Sequence, residues 1–155
     1  MHKDKYFKKS FSEKEFFLDE TPCKEKEDFL TKQDFLKKDE SPINGIGIFT
    51  SIAIPANELF YLVPLGDLRL VPTPGAARIA TNKFVFDEKV LNYVNHSCDP
   101  NSEIVLEQQR VVLRAKRDIL AGEEITLDYT ITEEKNNLIL CTCGKEKCRN
   151  FFFTT

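Results

Sequence analysis

Short apolar runs, separated by proline, glycine and asparagine, make up most of the chain after residue 41. Runs rich in β-branched residues at 46–54, 59–65 and 68–71 each have the length and composition of a single strand. A Pro-Thr-Pro-Gly sequence at 72–75 ends this series with a longer loop. The pattern therefore predicts consecutive short strands joined by turns.

The second half of the chain continues this pattern. Residues 104–106 and 110–115 predict a strand pair, and Val111 and Leu113 fall on one face of its second strand. The one helix predicted in this part is a short one near 87–93. Many short strands, one small helix and no alternation of strands with helices predict a mainly β fold. They argue against a doubly wound nucleotide-binding fold.

Residues 1–36 form a distinct N-terminal arm, rich in lysine and acidic residues and punctuated by phenylalanine. Thr21-Pro22 interrupts any single long helix, although short amphipathic helices are compatible with the spacing. A solvated arm whose phenylalanines lie against the domain explains the composition. A partner-binding segment or a lid over a substrate groove explains it too.

Composition narrows the possible functions. The chain has 155 residues, a size suited to one domain, and a net charge of −3 that argues against direct nucleic-acid binding. No apolar run approaches the roughly 18 residues of a membrane span, and no secretion signal is visible. We therefore expect a cytoplasmic or nuclear protein, a monomer or a weak dimer, with no membrane partner.

Cysteine usage suggests a metal site. Three of the five cysteines, Cys141, Cys143 and Cys148, lie within eight residues. In a chain without secretory features, such clustering favours metal binding over disulfides. Cys23 has no nearby cysteine and is expected to be a free thiol, and unpaired surface thiols remain the alternative for the cluster.

The densest polar stretch is Asn95-His96-Ser97-Cys98-Asp99-Pro100-Asn101. It places an amide, an imidazole, a hydroxyl, a thiol and a carboxylate in five consecutive residues. Pro100 fixes its own φ and keeps Asp99 out of the helical region, so the stretch ends in a turn. Taken alone, it is either a functional loop or the capped end of a structural element.

Three further motifs accompany this stretch: Gly45-Ile46-Gly47, then Gly122-Glu123-Glu124-Ile125-Thr126-Leu127-Asp128-Tyr129, and finally Cys141-Thr142-Cys143-Gly144-Lys145-Glu146-Lys147-Cys148. In this order they resemble a SET-domain protein lysine methyltransferase with a post-SET zinc segment, over residues 39–151. The resemblance implies a β-clip of short curved sheets with knot-like C-terminal threading. It also implies three regions, namely the arm at 1–36, a SET domain at 37–135 and a zinc-bound post-SET tail at 136–155.

The resemblance also implies a binding site for S-adenosylmethionine. Its expected contacts are the backbone at Gly45, Ile46 and Gly47, the Asn95 amide at the methionine end, and the backbone of His96 at the adenine. A β-turn at the glycines and a structurally bonded histidine are the alternatives from the residues alone. Asn150 stands where related tails commonly have glycine, and Phe151 is expected to cover the adenine or line the lysine channel.

Two residues near the end of the motif at 122–129 are implied to act on the substrate lysine. Tyr129 resembles the catalytic tyrosine of the family, whose phenol oxygen lies beside the methyl group and the amine. Leu127 stands where the family usually has phenylalanine or tyrosine, so the lysine channel should have room for products beyond monomethyl-lysine. A core tyrosine with a bonded hydroxyl is the alternative for Tyr129.

A closed structural zinc site needs four ligands, and the tail supplies three thiolates. In the family the fourth comes from the cysteine of the Asn-His-Ser-Cys stretch, here Cys98. The expected set is therefore Cys98, Cys141, Cys143 and Cys148.

The implied function is methylation of a protein lysine ε-amine, in a histone or another protein, with S-adenosylhomocysteine as the second product. Chromatin would be the site of action if the substrate is a histone. A catalytically silent SET module that binds a protein partner is the alternative.

Overall fold

The computed structural model describes residues 34–132 and 137–154. Within these ranges it contains twelve short strands, one 3-10 turn at Leu91–Tyr93 and one short helix, α1, at Tyr129–Thr132. The strands are β1 (Leu36–Glu40), β2 (Ile46–Thr50), β3 (Leu59–Leu62), β4 (Leu68–Arg69), β5 (Ala76–Ala80), β6 (Lys83–Phe86), β7 (Asn95–His96), β8 (Ser102–Glu107), β9 (Arg110–Ala115), β10 (Glu124–Leu127), β11 (Asn137–Leu140) and β12 (Phe151–Thr154). The expectation of a mainly β fold is confirmed.

The strands form four small sheets, with the orders β1-β2-β10-β7, β3-β9-β8, β4-β6-β5 and β11-β12. Every pairing within them is antiparallel except that of β10 with β7. In this parallel pair Thr126 lies beside Asn95 and Leu127 beside His96. Strand β10 thus brings a late segment of the chain against the Asn95–His96 stretch.

The predicted β8–β9 hairpin is confirmed. Its turn residues Gln108 and Gln109 both have positive φ, 48° and 66°, as a two-residue hairpin turn of matching twist requires. Strand β2 ends at Thr50, earlier than the apolar run 46–54 suggests. The Thr50 hydroxyl donates to the Ile52 carbonyl, and the Ile52 N–H donates back to it, which turns the chain out of the sheet.

The helix predicted near 87–93 is reduced to the single 3-10 turn. The Asp87 carboxylate accepts hydrogen bonds from the N–H groups of Lys89, Val90 and Leu91, and from the Tyr61 hydroxyl at 2.6 Å. These bonds bend the backbone around one side chain, which competes with regular helical hydrogen bonding.

The pattern analysis did not predict β1, the β5–β6 hairpin or the β11–β12 pair. The β5–β6 turn contains Asn82 with φ of 52°, a residue type that tolerates this conformation. Both strands are short, and β5 is rich in alanine, so their β-propensity is weak.

The core packs between the small sheets and includes Phe60, Tyr61, Ile48, Ile125 and Leu127, all buried. Phe35 belongs to this core as well, although it precedes β1. Most of the predicted N-terminal arm, including Cys23, lies outside the described residues. No helix in the described part of the chain has the length and apolar character needed to cross a membrane.

Candidate active site and metal centre

The parallel pairing of β7 with β10 brings Tyr129 to His96, although 33 residues separate them. The Tyr129 backbone N–H donates to His96 Nδ1 at 3.1 Å. The Tyr129 hydroxyl donates to the Val94 carbonyl at 2.7 Å. Both ends of the tyrosine are therefore held by the stretch that precedes the polar turn.

The imidazole of His96 is buried, with 3% of the residue exposed. The ring of Phe152 stacks on it with centroids 4.1 Å apart, and Phe152 also meets the Tyr129 ring edge-on at 5.5 Å. Burial lowers the pKa of His96 to about 4, against the opposing effect of the nearby Asp128 carboxylate. His96 is therefore neutral near pH 7.

The side-chain amide of Asn95 has its nitrogen fully engaged. Nδ2 donates to Glu124 Oε1 at 2.8 Å and to the carbonyls of Asn44 and Ile46 at 3.0 and 3.4 Å. These three acceptors fix which end of the amide is the nitrogen. In the described part of the chain, no group donates to Oδ1.

Glu124 lies beneath the glycine motif. The residue is 9% exposed, and its two carboxylate oxygens share the single hydroxyl proton of Ser41, whose oxygen lies 2.8 and 2.9 Å from them, besides the bond from Asn95. A Cβ on Gly47 would lie 2.2 Å from Glu124 Oε1. Gly47 thus provides space for this buried carboxylate. Gly45 differs, because it has φ of 50° and its Cβ position meets nothing within 4 Å.

Leu127 occupies the end of β10. It is 3% exposed and packs with the core residues. Ile46, by contrast, is exposed at the start of β2. The expected roles of Leu127 in the lysine channel and of Ile46 at the cofactor stay predictions.

The four predicted metal ligands converge. The sulfur atoms of Cys98, Cys141, Cys143 and Cys148 all lie within 4.8 Å of one another, and those of Cys98 and Cys141 are 3.6 Å apart. A tetrahedral zinc with Zn–S bonds near 2.3 Å places its sulfurs roughly 3.8 Å apart, so the donor set could hold this ion.

Hydrogen bonds to the sulfurs support the same chemistry. The N–H groups of Arg149 and Asn150 donate to Cys98 Sγ at 3.3 Å and to Cys148 Sγ at 3.4 Å. Burial raises the pKa of Cys141. Burial acts in the same direction on Cys143, but hydrogen bonds from the backbone of Cys98 and Lys145 and from the neighbouring thiols lower its pKa to about 6. The lowered pKa of Cys143 favours its thiolate form, which is the form that binds metals.

A family profile of the SET domain matches residues 8–130, well over half of the chain. The chain belongs to the SET-domain family. This confirms the resemblance drawn from the four motifs and the expected fold class.

Curated relatives of this SET domain are named as histone-lysine N-methyltransferases. The chain is 44% identical over 64 residues to histone-lysine N-methyltransferase 2B of Homo sapiens, which is 38% of the chain and 2% of that protein. It is 45% identical over 65 residues to probable histone-lysine N-methyltransferase set-23 of Caenorhabditis elegans, which is 38% of the chain and 27% of that protein. Histone-lysine N-methyltransferase TRX1 of Oryza sativa subsp. japonica is 31% identical over 133 residues, 71% of the chain and 13% of that protein. The chain therefore spans only a small part of these relatives.

One ion pair ties the tail of the SET domain to its body. Arg149 donates to both carboxylate oxygens of Asp128, at 2.7 and 3.1 Å, and to the Thr130 hydroxyl at 3.4 Å. Burial would raise the pKa of Asp128, but the hydrogen bonds from Arg149 and Thr130 hold it below its usual value. The hydrogen bonds to Asp128 raise the pKa of Arg149, so both groups are charged near neutral pH.

Sequence reasoning missed several residues of this site. It selected Phe151, which is 50% exposed, whereas Phe152 stacks on His96. It also passed over Glu124 and the ion pair of Asp128 with Arg149. The roles expected for Phe151 stay predictions, and alternation along β12 was the one signal that could have distinguished the two phenylalanines.

Proposed function

We propose that this SET domain transfers a methyl group from S-adenosylmethionine to the ε-amine of a protein lysine and releases S-adenosylhomocysteine. The observation that carries the proposal is the pairing of β7, which contains Asn95 and His96, with the end of β10, which brings Tyr129 at the start of α1 onto His96. When bound, the cofactor supplies an electrophilic methyl group on a sulfonium. The relatives' names make a histone the first substrate to test.

The Asn95 amide suits the charged methionine end of this cofactor. Its nitrogen is held by Glu124 and two backbone carbonyls, which leaves Oδ1 as an acceptor for an ammonium group. The exposed backbone at Gly45 offers open space beside it. These features suit the ammonium group of the methionine end.

Tyr129 suits the lysine. Because its single hydroxyl proton is given to the Val94 carbonyl, the phenol oxygen can meet an amine only as an acceptor. A free lysine has a pKa near 10.4, so about one in two thousand is neutral at pH 7, a cost of roughly 4–5 kcal/mol. Desolvation lowers this cost, and an acceptor then orients the lone pair of the neutral amine.

Zinc is the metal we propose for the cysteine cluster. Four sulfur donors within 4.8 Å of one another match the donor set of a closed structural site, which has no open position for catalysis. The ligands would be Cys98, Cys141, Cys143 and Cys148, joining the tail to the polar turn. Free energy of metal binding at such a site contributes directly to folding of the tail.

Activity is tested by incubating the purified chain with S-adenosylmethionine and histones, followed by peptide mass spectrometry. We expect methyl-lysine with the wild type and a loss of at least a hundredfold in rate for Tyr129→Phe, which removes the acceptor oxygen. Tyr93→Phe is the matched control, because it also deletes one phenol oxygen and should keep the wild-type rate. Cofactor binding without transfer to any histone or total-protein substrate would instead support the silent binding module.

The metal is tested by elemental analysis of the purified chain. We expect one zinc per chain, retained in Cys23→Ala and lost or strongly weakened in Cys98→Ala, which removes one of four ligands. Full zinc retention in Cys98→Ala would refute the four-thiolate assignment.

A further inference from the structure

The two ring nitrogens of His96 contact two different parts of the site. Nδ1 lies 3.1 Å from the backbone nitrogen of Tyr129. Nε2 lies 3.4 Å from Cys98 Sγ. The imidazole thus stands between the cysteine cluster and the tyrosine to which we assign the chemistry.

The nearest partners of the two ring nitrogens favour one tautomer. Asp128 Oδ1 lies 3.8 Å from Nδ1, beyond hydrogen-bond distance, and the Leu127 carbonyl near the ring favours its protonated form, so the closest contact of Nδ1 is the Tyr129 N–H. A backbone N–H can only donate, so the nitrogen that faces Tyr129 must accept and carries no proton. A neutral imidazole then has its proton on Nε2, which faces the Cys98 sulfur. The arrangement is a directional series in which the Tyr129 N–H donates to the ring and the ring donates to Cys98.

Packing around the ring restricts its orientation. It is almost completely buried, and Phe152 stacks on one face at 4.1 Å with an interplanar angle of 26°. Phe152 follows the last cysteine of the cluster by four residues, so ordering of the cluster and placement of this ring on His96 go together.

We propose that the His96 side chain is a positioning residue that couples the metal cluster to Tyr129, in addition to any contact that its backbone makes with a cofactor. Through Nε2 it donates to a metal-bound thiolate, and through Nδ1 it fixes the backbone N–H at the start of α1. A hydrogen bond to a ligating group orients that ligand and tunes the metal. The inference rests on the proposed zinc site and transferase function.

The tautomer is tested first, by long-range ¹⁵N–¹H correlation spectra of the imidazoles in the full chain loaded with zinc or ¹¹³Cd. The chain has two histidines, His2 and His96, so a His2→Ala variant assigns the signals. We expect an unprotonated Nδ1, a slowly exchanging Nε2–H, and a scalar coupling between that proton and ¹¹³Cd. A proton on Nδ1, or a ring proton in fast exchange, would overturn the proposal.

Two amide substitutions then separate the two contacts. His96→Gln can place a donor near the position of Nε2, and His96→Asn can place an acceptor near that of Nδ1. With cobalt as the probe, His96→Gln should keep the thiolate-to-cobalt absorption band of the wild type, and His96→Asn should shift it. With zinc loaded, His96→Gln should lose about tenfold in kcat with little change in peptide KM, and His96→Asn should recover most of it.

The result that contradicts coupling is an equal loss by both variants in both readouts, which a merely structural role would produce. Wild-type-like behaviour of His96→Ala in both readouts would contradict it too. Failure of the proposed function looks different. A wild type without methyl transfer would leave the nitrogen spectra and the ¹¹³Cd coupling as expected, whereas a wild type that binds no metal would remove the cluster itself.

Discussion

Substitution of Gly47 by alanine should destabilise the protein through one identifiable contact. The added methyl group would lie 2.2 Å from Oε1 and 2.8 Å from the carboxyl carbon of Glu124. A surface glutamate would simply turn away. Glu124 is buried, however, and its carboxylate is held by Ser41 and Asn95.

The magnitude follows from the hydrogen bonds that must break. Displacing the carboxylate from Gly47 loses one or two hydrogen bonds to a charged group, at roughly 1.5–3 kcal/mol each. Alanine recovers about 0.5–1 kcal/mol of backbone entropy relative to glycine within a strand. We therefore expect a loss of about 1–5 kcal/mol in the free energy of unfolding.

Urea unfolding of the metal-loaded chain measures this loss, and Gly66→Ala is the matched control. A Cβ at Gly66 meets nothing within 4 Å, so that variant should lie within about 0.5 kcal/mol of the wild type. In a Glu124→Ala background the methyl group has room, and most of the cost of Gly47→Ala should disappear. The same cost in both backgrounds, or no cost in either, would refute the assigned contact.

Two further predictions concern other residues of β10 and its approach. Burial would raise the pKa of Glu123, but hydrogen bonds from Arg117, the Leu120 backbone and Asn101 lower it to about 2, from an ordinary 4.5. The stabilising contribution of the Glu123 carboxylate should therefore be complete above about pH 4.5 and lost as the pH falls through 2. In acid unfolding, the difference in stability between the wild type and Glu123→Gln should shrink over that range. Leu127→Tyr should shift the product toward monomethyl-lysine, because a hydroxyl beside the amine restricts rotation of the amine. Peptide mass spectra over a time course measure this shift. An unchanged product distribution would show that Leu127 does not face the lysine channel.

The sequence predicted those parts of the site whose residues lie close together in local motifs. Cysteine spacing pointed to three candidate ligands within eight residues, the family resemblance added Cys98, and the four sulfurs do converge. Contacts between distant segments were not predictable in this way. Gly47 and Glu124 are 77 residues apart, and no spacing rule relates a small residue in one strand to a buried carboxylate in another.

Phe152 illustrates a second limit. Three consecutive phenylalanines follow Arg149 and Asn150, and composition does not distinguish among them. Register decides, because Phe152 pairs with Ile139 and alternation along β12 places it on the face opposite to Phe151 and Phe153. That register depends on β11, a strand that the hydrophobic pattern did not predict.

The β11–β12 pair explains why a bound metal should affect more of the site than the four cysteines. Leu138 and Leu140 of β11 are exposed by 59% and 63%, so the β11–β12 pair buries little apolar surface and an isolated two-stranded pair is marginal in water. Its contacts with the domain include the cysteine cluster, the ion pair of Arg149 with Asp128 and the packing of the Phe152 ring on His96 and Tyr129. The ion pair is partly exposed and contributes modestly. A bound metal would add its binding free energy to these contacts in placing Phe152 on His96. Through His96, the geometry of Tyr129 would then depend on occupancy of the proposed metal site.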